Sequence, residues 1–286
     1  MAEPMTAAQV VAQLKKWGVR YVALSGWSTH NREGHGAWGP VHGFIWHHTG
    51  ANVAAADARA YAAGYLYNGD SSLPGPLCQF SIGADGTVYL VGWGRANHAG
   101  GGDPNVLEHV IAEDYTGQLH PTRGNANGVD GNARFYGVEI QYSGSRPMSD
   151  AQYAAARRLS AAILDHHGWS EKSVIGHGEW SADKWDPGAN GKIMAMPSVR
   201  SDVAATLKAG PGQDPDDDSE ELASMNQKDA YKLFWDGDLA PAPDKSTTKA
   251  TNPKWKPVNF LREIYDLAVE IRDLAREIRD QQKSKG

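Results

Sequence analysis

A single cysteine, Cys78, in 286 residues excludes any disulfide within the chain. The fold must be held by its core instead, and a lone thiol suits synthesis in a reducing compartment. Long apolar runs are also missing, with no stretch approaching the ~18 residues of a membrane-spanning helix. Basic residues are in deficit: 28 Lys and Arg face 34 Asp and Glu, a net charge of −6, which argues against a nucleic-acid-binding surface. Met1 to Trp17 lacks the basic start, apolar middle and small-residue cleavage site of a secretory signal. The expectation is a product made in the cytoplasm, with no direct membrane span.

What the chain does have is enough apolar residues, 41%, for one large core or two modest ones, and 32 glycines, which point to long loops. Thr6 and Gln9 form a capping box that opens a helix, with Val10, Leu14 and Trp17 on one face and Gly18 as its stop. Val19–Leu24 reads as a strand and Ser25–Pro40 as an irregular loop. Phe44–His48 is an apolar run ending in two histidines, a buried strand with polar chemistry at its carboxyl end. Ala-rich Val53–Leu66 predicts a helix. Gln79–Val91 predicts a hairpin, with Phe80 and Ile82 alternating on one arm, Val88 and Leu90 on the other, and Ala84-Asp85-Gly86 at the turn.

Gly100 to Arg134 is rich in Gly, Asn and Asp and predicts a rim loop. Phe135–Tyr142 returns to strand. Ser149 and Gln152 cap a helix that carries Tyr153, Ala156, Leu159 and Ile163 inward and stops at Gly168. Val174–Ile175 is a short strand leading into His177, and Pro197 sits at the start of a final helix reaching about Leu207. The expected domain is residues 1–208.

An acidic Gly/Pro linker, 209–224, and a helical region, 225–286, which opens on Met225, should follow. Phe260, Ile264, Leu267, Ile271, Leu274 and Ile278 are spaced 4, 3, 4, 3, 4, a heptad seam across 260–280. Ile at a and Leu at d favour a two-stranded coiled coil. Because Ala268 and Ala275 widen the stripe, a larger bundle or docking onto the first domain stays open beside self-association.

His177 and Asp186 lie nine residues apart in one loop, and either member of the His47-His48 pair can join them. Two imidazoles and a carboxylate are a normal ligand set for catalytic zinc, with the fourth position left for water. The spacing alone selects no single set among 11 histidines. In Tyr136–Tyr142 the alternation puts Glu139 on the face opposite Val138 and Ile140. Such a carboxylate needs a partner or a task, or sits at a solvated strand edge.

Five blocks in order then resemble the peptidoglycan-amidase superfamily, which includes phage amidase lysins and peptidoglycan recognition proteins: Ile45-Trp-His-His-Thr-Gly50, Asp85-Gly-Thr-Val88, Asn97-His-Ala-Gly100, Tyr136-Gly-Val-Glu-Ile140, and Gly176-His-Gly-Glu-Trp180 through Asp186-Pro-Gly188. The layout looks most like amidase endolysins of phages infecting actinobacteria. The resemblance implies an α/β fold with a central mixed sheet flanked by helices, plus the helical appendage. It implies Zn2+ held by His47, His177 and Asp186, with Glu139 as the catalytic carboxylate and Lys184 as the oxyanion stabiliser.

The implied reaction is hydrolysis of the bond between N-acetylmuramic acid and L-alanine in bacterial peptidoglycan, the partner expected in place of nucleic acid. A phage enzyme made in the host cytoplasm would need a holin to reach the wall. A non-catalytic receptor and a host cell-wall amidase are the competing readings. The sequence departs from relatives in two places. Asp183 stands where a basic residue is frequent, and a carboxylate there competes for Lys184. Cys78 and Gln79 occupy a region where some relatives carry a tyrosine. His98 suits either a contact within the site or a structural hydrogen bond. His166 and His167 read as helix-end residues, Trp46, Trp180 and Trp185 as packing, and His30, His35, His42, His109 and His120 take no role.

Overall fold

The computed structural model describes residues 1–212 and the backbone of 240–241 and 254–255. In chain order the elements are α1 (Ala7–Lys16), β1 (Tyr21–Ala23), β2 (Phe44–His48), α2 (Ala58–Tyr61, running into a π-helical turn Ala62–Leu66), β3 (Phe80–Ile82) and β4 (Val88–Leu90). Then come β5 (Gly101–Gly102), α3 (Pro104–Ala112), β6 (Val129–Asp130), β7 (Tyr136–Ile140), α4 (Asp150–His167) and β8 (Val174–Gly176). The unit ends with α5 (His177–Trp180), β9 (Gly188–Ala189), β10 (Lys192–Ile193) and α6 (Met196–Ala209).

The main sheet is mixed, in the order β1-β4-β3-β7-β2-β8. Only β3 and β4, the expected hairpin, run antiparallel; every other neighbouring pair is parallel. This is the α/β architecture anticipated for residues 1–208. Alternation along the strands divides the core in two. Phe44, Trp46, Tyr136, Val138 and Ile140 belong to the larger cluster, with Val10 and Leu14 of α1, Leu159 and Ile163 of α4 and Val203 of α6. Ile45, Phe135 and Ile175 belong to a smaller one, with Val106 and Val110 of α3 and Trp180. Trp46 settles into the first layer by donating from Nε1 to Ser160 Oγ of α4 at 2.9 Å.

Both capping boxes form as expected, at Thr6 with Gln9 and at Ser149 with Gln152. Two expectations need correction. Residues 53–57 are not α-helical: a 3-10 turn, Ala55–Asp57, precedes α2. The stretch 100–134 is not one loop, because it contains α3. Asp103 caps that helix by accepting from Asn105 N, and Pro104 stands at its start, where a missing N–H costs nothing. Val106 and Val110, one turn apart, then anchor it to the smaller core.

The chain divides into two compact units, Met1–Pro215 and Asp216–Gly286. In the second, Ala240–Pro241 (β11) pairs antiparallel with Lys254–Trp255 (β12). The acidic run from residue 213 onward, Met225 and the heptad seam at 260–280 lie outside the described residues. No helix among the described residues is long and apolar enough to cross a membrane.

Candidate functional site

The parallel strands β7, β2 and β8 place their carboxyl ends side by side, where open α/β sheets characteristically bind ligands. Register sets His47 of β2 beside Glu139 of β7, and Trp46 beside Gly176, the last residue of β8. His177 follows immediately as the first residue of α5. That short helix is fixed from behind by Glu179, whose buried carboxylate takes both guanidinium arms of Arg200 at 2.8 and 3.0 Å. Glu179 also accepts from Gly176 N and from Leu119 N. A charge buried this deeply is tolerable because every lone-pair direction is engaged.

Asp186 reaches the same point from the loop after α5, which closes through Gly178 N donating to Asp186 O at 2.8 Å. His47 Nδ1 and His177 Nδ1 are 2.9 Å apart, and Asp186 Oδ2 lies 3.2 Å from the second and 3.4 Å from the first. These three side chains form the one group of candidate metal ligands among the described residues. Donors held at about 2.0–2.2 Å by a tetrahedral ion would stand about 3.3–3.6 Å apart, close to the observed triangle. Proton positions agree. His177 Nε2 faces Ala99 O at 3.2 Å, and since a carbonyl only accepts, that nitrogen carries the hydrogen and leaves Nδ1 with its lone pair. His47 Nε2 contacts His98 Nδ1 at 3.1 Å, which turns its Nδ1 toward the centre.

The electrostatics have the same sense. Burial, then repulsion from His177, lowers the His47 imidazole to about 4, so the neutral, ligating form is favoured. For Asp186 burial works in the opposite direction, yet His177 and His47 outweigh it and hold the carboxyl well below its usual range. A neutral His47 imidazole beside the ionised Asp186 carboxylate suits a divalent cation. The residues fit zinc.

Glu139 lines the cleft beside this triangle, with Lys184, His48, Thr49 and Tyr65 around it. Burial, reinforced by Asp186 and opposed by Lys184, raises its carboxyl well above the ordinary range. Its Oε2 is buried without a hydrogen-bond partner, so Glu139 does not sit at a solvated strand edge. Asp183 does not compete for Lys184 as anticipated. Its Oδ2 accepts from Asn125 N at 2.8 Å, which turns the carboxylate toward the rim.

The remaining sequence candidates separate clearly. His98 lies inside the site against His47. Its ring occupies the space above Gly137, where an added Cβ would stand 2.3 Å from His98 Nδ1. Trp46 and Trp180 are fully buried, whereas Trp185 is exposed and meets His48 edge-on at 4.7 Å. Cys78 is buried, and Gln79 is a structural bridge, donating to Gly94 O and accepting from Gly137 N. His167 is more than a helix-end residue, since its Nε2 accepts from the Tyr136 hydroxyl at 3.0 Å. Sequence reasoning missed Glu179, Asn132, Tyr65 and Leu73. Glu179 stands three residues after Gly176 and was legible as an N3 carboxylate; Tyr65 and Leu73 carry no local sign of facing the cleft.

A mixed α/β sheet carries, at the ends of its parallel strands, a His-His-Asp triangle that could hold a cation and a carboxylate beside it. The sequence profile of the N-acetylmuramoyl-L-alanine amidase family matches residues 37–189, more than half the chain and the whole of this site, and the chain belongs to that family. Among solved structures, Drosophila PGRP-LB is 15% identical, with a TM-score of 0.40 over 65% of this chain and 93% of that one. The endolysin N-acetylmuramoyl-L-alanine amidase LysCS from Clostridium intestinale is 16% identical, with a TM-score of 0.33 over 60% and 88%. Human PGRP-IβC, solved in complex with glycosamyl muramyl pentapeptide, is 18% identical, with a TM-score of 0.37 over 59% and 89%. No curated protein matches the chain.

Proposed function

We propose that this chain is a zinc-dependent N-acetylmuramoyl-L-alanine amidase that cuts between N-acetylmuramic acid and L-alanine in peptidoglycan. The observation that carries the reading is the triangle of His47 Nδ1, His177 Nδ1 and Asp186 Oδ2, no edge longer than 3.4 Å, with an unpartnered Glu139 oxygen in the same cleft. Zinc bound there would supply polarisation of the amide carbonyl and acidification of water.

Glu139 performs the proton work. It takes the proton of the attacking water as the C–O bond forms, then gives it to the departing L-alanine nitrogen as the C–N bond breaks. A carboxyl raised by burial is suited to both directions of that transfer. Lys184 lines the same cleft and offers its ammonium to the oxyanion. His98 packs against His47 and holds its ring in place.

The biological setting we infer is a phage endolysin, made in the host cytoplasm and released to the wall by a holin. The ordered sequence blocks support it. The heptad seam at 260–280 supports self-association through the tail; sedimentation of the full chain against a form ending near residue 210 should give different association states, and equal monomer masses would overturn that part.

Digestion of purified actinobacterial sacculi, read by mass spectrometry, tests the reaction. New free L-alanine amino termini on intact glycan strands, abolished by a chelator and restored by zinc, are expected. Zinc-loaded folded protein that binds sacculi without cutting would establish the receptor reading instead.

A further inference from the structure

Asn132 sits in a 3-10 turn, Gly131–Ala133, just ahead of β7, and it is buried. Its Oδ1 accepts three consecutive main-chain N–H groups: His98 at 3.0 Å, Ala99 at 2.8 Å and Gly100 at 3.2 Å. Three donors converging on one atom fix which end of the carboxamide is oxygen. They also fix the loop. The peptide between Ala99 and Gly100 has its N–H on Asn132 and its C=O on the other side, where Ala99 O accepts from His177 Nε2 at 3.2 Å and from Trp180 Nε1 at 3.0 Å. The residue before it, His98, meets His47 Nε2.

The turn itself has no freedom to drift. A Cβ on Gly131 would fall 2.7 Å from Trp180 Nε1 and 2.8 Å from Ala99 Cβ, and Gly131 N donates to Gly100 O at 2.8 Å. Asn132 is therefore seated against the loop it gathers, about 30 residues away in sequence.

We propose that Asn132 is the positioning residue of the metal centre: through one carbonyl oxygen it sets the tautomer and aim of His177, by way of the Ala99 carbonyl, and the seat of His47, by way of His98. It makes no hydrogen bond to the metal triangle, and its effect is transmitted through the 98–100 main chain and the His98 ring. Loss of the acceptor strands three buried N–H groups, which will seek other partners and rotate the 99–100 peptide. His177 Nε2 then loses the carbonyl that keeps its hydrogen away from Nδ1. Outer partners of ligating histidines typically contribute 10–100-fold to metal affinity.

The inference rests on the zinc reading, and the test separates the two. Zinc affinity of the full-length wild type is measured first by competition with a chromogenic chelator; a wild type that binds no zinc fails the zinc reading itself. With wild-type binding in hand, Asn132→Leu is expected to weaken zinc by about 10–100-fold and to change the visible absorption of the cobalt-substituted protein. Asn132→Asp, which keeps an acceptor oxygen in place, is expected to hold zinc within about threefold of wild type, a factor worth less than 1 kcal/mol. A Leu variant with unchanged zinc affinity and cobalt spectrum overturns the proposal. So does an Asp variant that loses zinc as fully as Leu does, since the acceptor would then not be the operative group. Should the Leu protein not fold by circular dichroism, Asn132→Ser, too short to reach all three donors, replaces it under the same criteria.

Discussion

At the scale of single residues, the division of labour around the triangle makes separable demands. Glu139→Gln keeps the shape of the side chain but cannot carry a proton, so turnover on sacculi should fall by about 10²–10⁴ while zinc stays bound. Near-normal turnover would remove Glu139 from the reaction. Gly137 makes a different kind of demand, because its missing Cβ is where the His98 ring lies. Gly137→Ala should cost about 1–3 kcal/mol of stability, seen as a lower denaturation midpoint at unchanged m-value, as the ring is forced off its place. The sequence made Glu139 conspicuous, since a carboxylate on an otherwise apolar strand asks for an explanation. It could not select His47 over His48 without the family resemblance, because adjacent residues on a strand differ only in the face they take. Asn132 was illegible for a related reason: its work is done on backbone N–H groups, which no side-chain pattern announces.

Among the elements, α3 and the rim around it depend on one carboxylate. Asp103 caps the helix through Asn105 N and also holds Thr122 through its N–H at 2.7 Å and its hydroxyl at 2.9 Å. Its own N–H donates to Trp180 O at 2.9 Å. Asp103→Ala should therefore destabilise by about 1–3 kcal/mol, because one carboxylate serves both the helix cap and Thr122. Urea denaturation would show it, and a loss below ~1 kcal/mol would mean that water replaces the carboxylate freely. The strands of the main sheet, α1 and α4 were legible from apolar period and capping boxes, and α6 from Pro197 at its start. α3 was not, because nine residues with two buried valines disappear inside a window dominated by Gly, Asn and Asp, even though Asp103-Pro104 is a sound helix start.

For the molecule as a whole, acid should act through a cluster remote from the cleft. Burial above all lowers His167 to about 4, with His166, His42 and the chain's amino terminus adding repulsion. Its ring stacks on Trp169 and accepts from Tyr136, while His42 also stacks on Trp169 and lies 3.7 Å from Glu113. A histidine depressed in the fold is protonated first in the unfolded chain. Its contribution to stability is full above about pH 6.5 and is lost as pH falls from there toward about 4. Melting temperature should decline across that window, and His167→Gln, which can still accept from the Tyr136 hydroxyl, should make the decline shallower. An unchanged slope would assign the acid sensitivity elsewhere.

The three strands that meet at the centre are brought there by very long excursions of the chain. His47 and His177 are separated by 130 residues, and β8 takes its place at the sheet edge only by pairing with β2. Closing such loops is slow and belongs to the late steps of folding. A ribosome-bound fragment that already contains β2, β3 and β7 therefore has only part of its chemistry, because His177 and Asp186 follow β8 in the chain. In a refolding experiment, metal uptake would serve as a clock for that last pairing rather than for the collapse that precedes it.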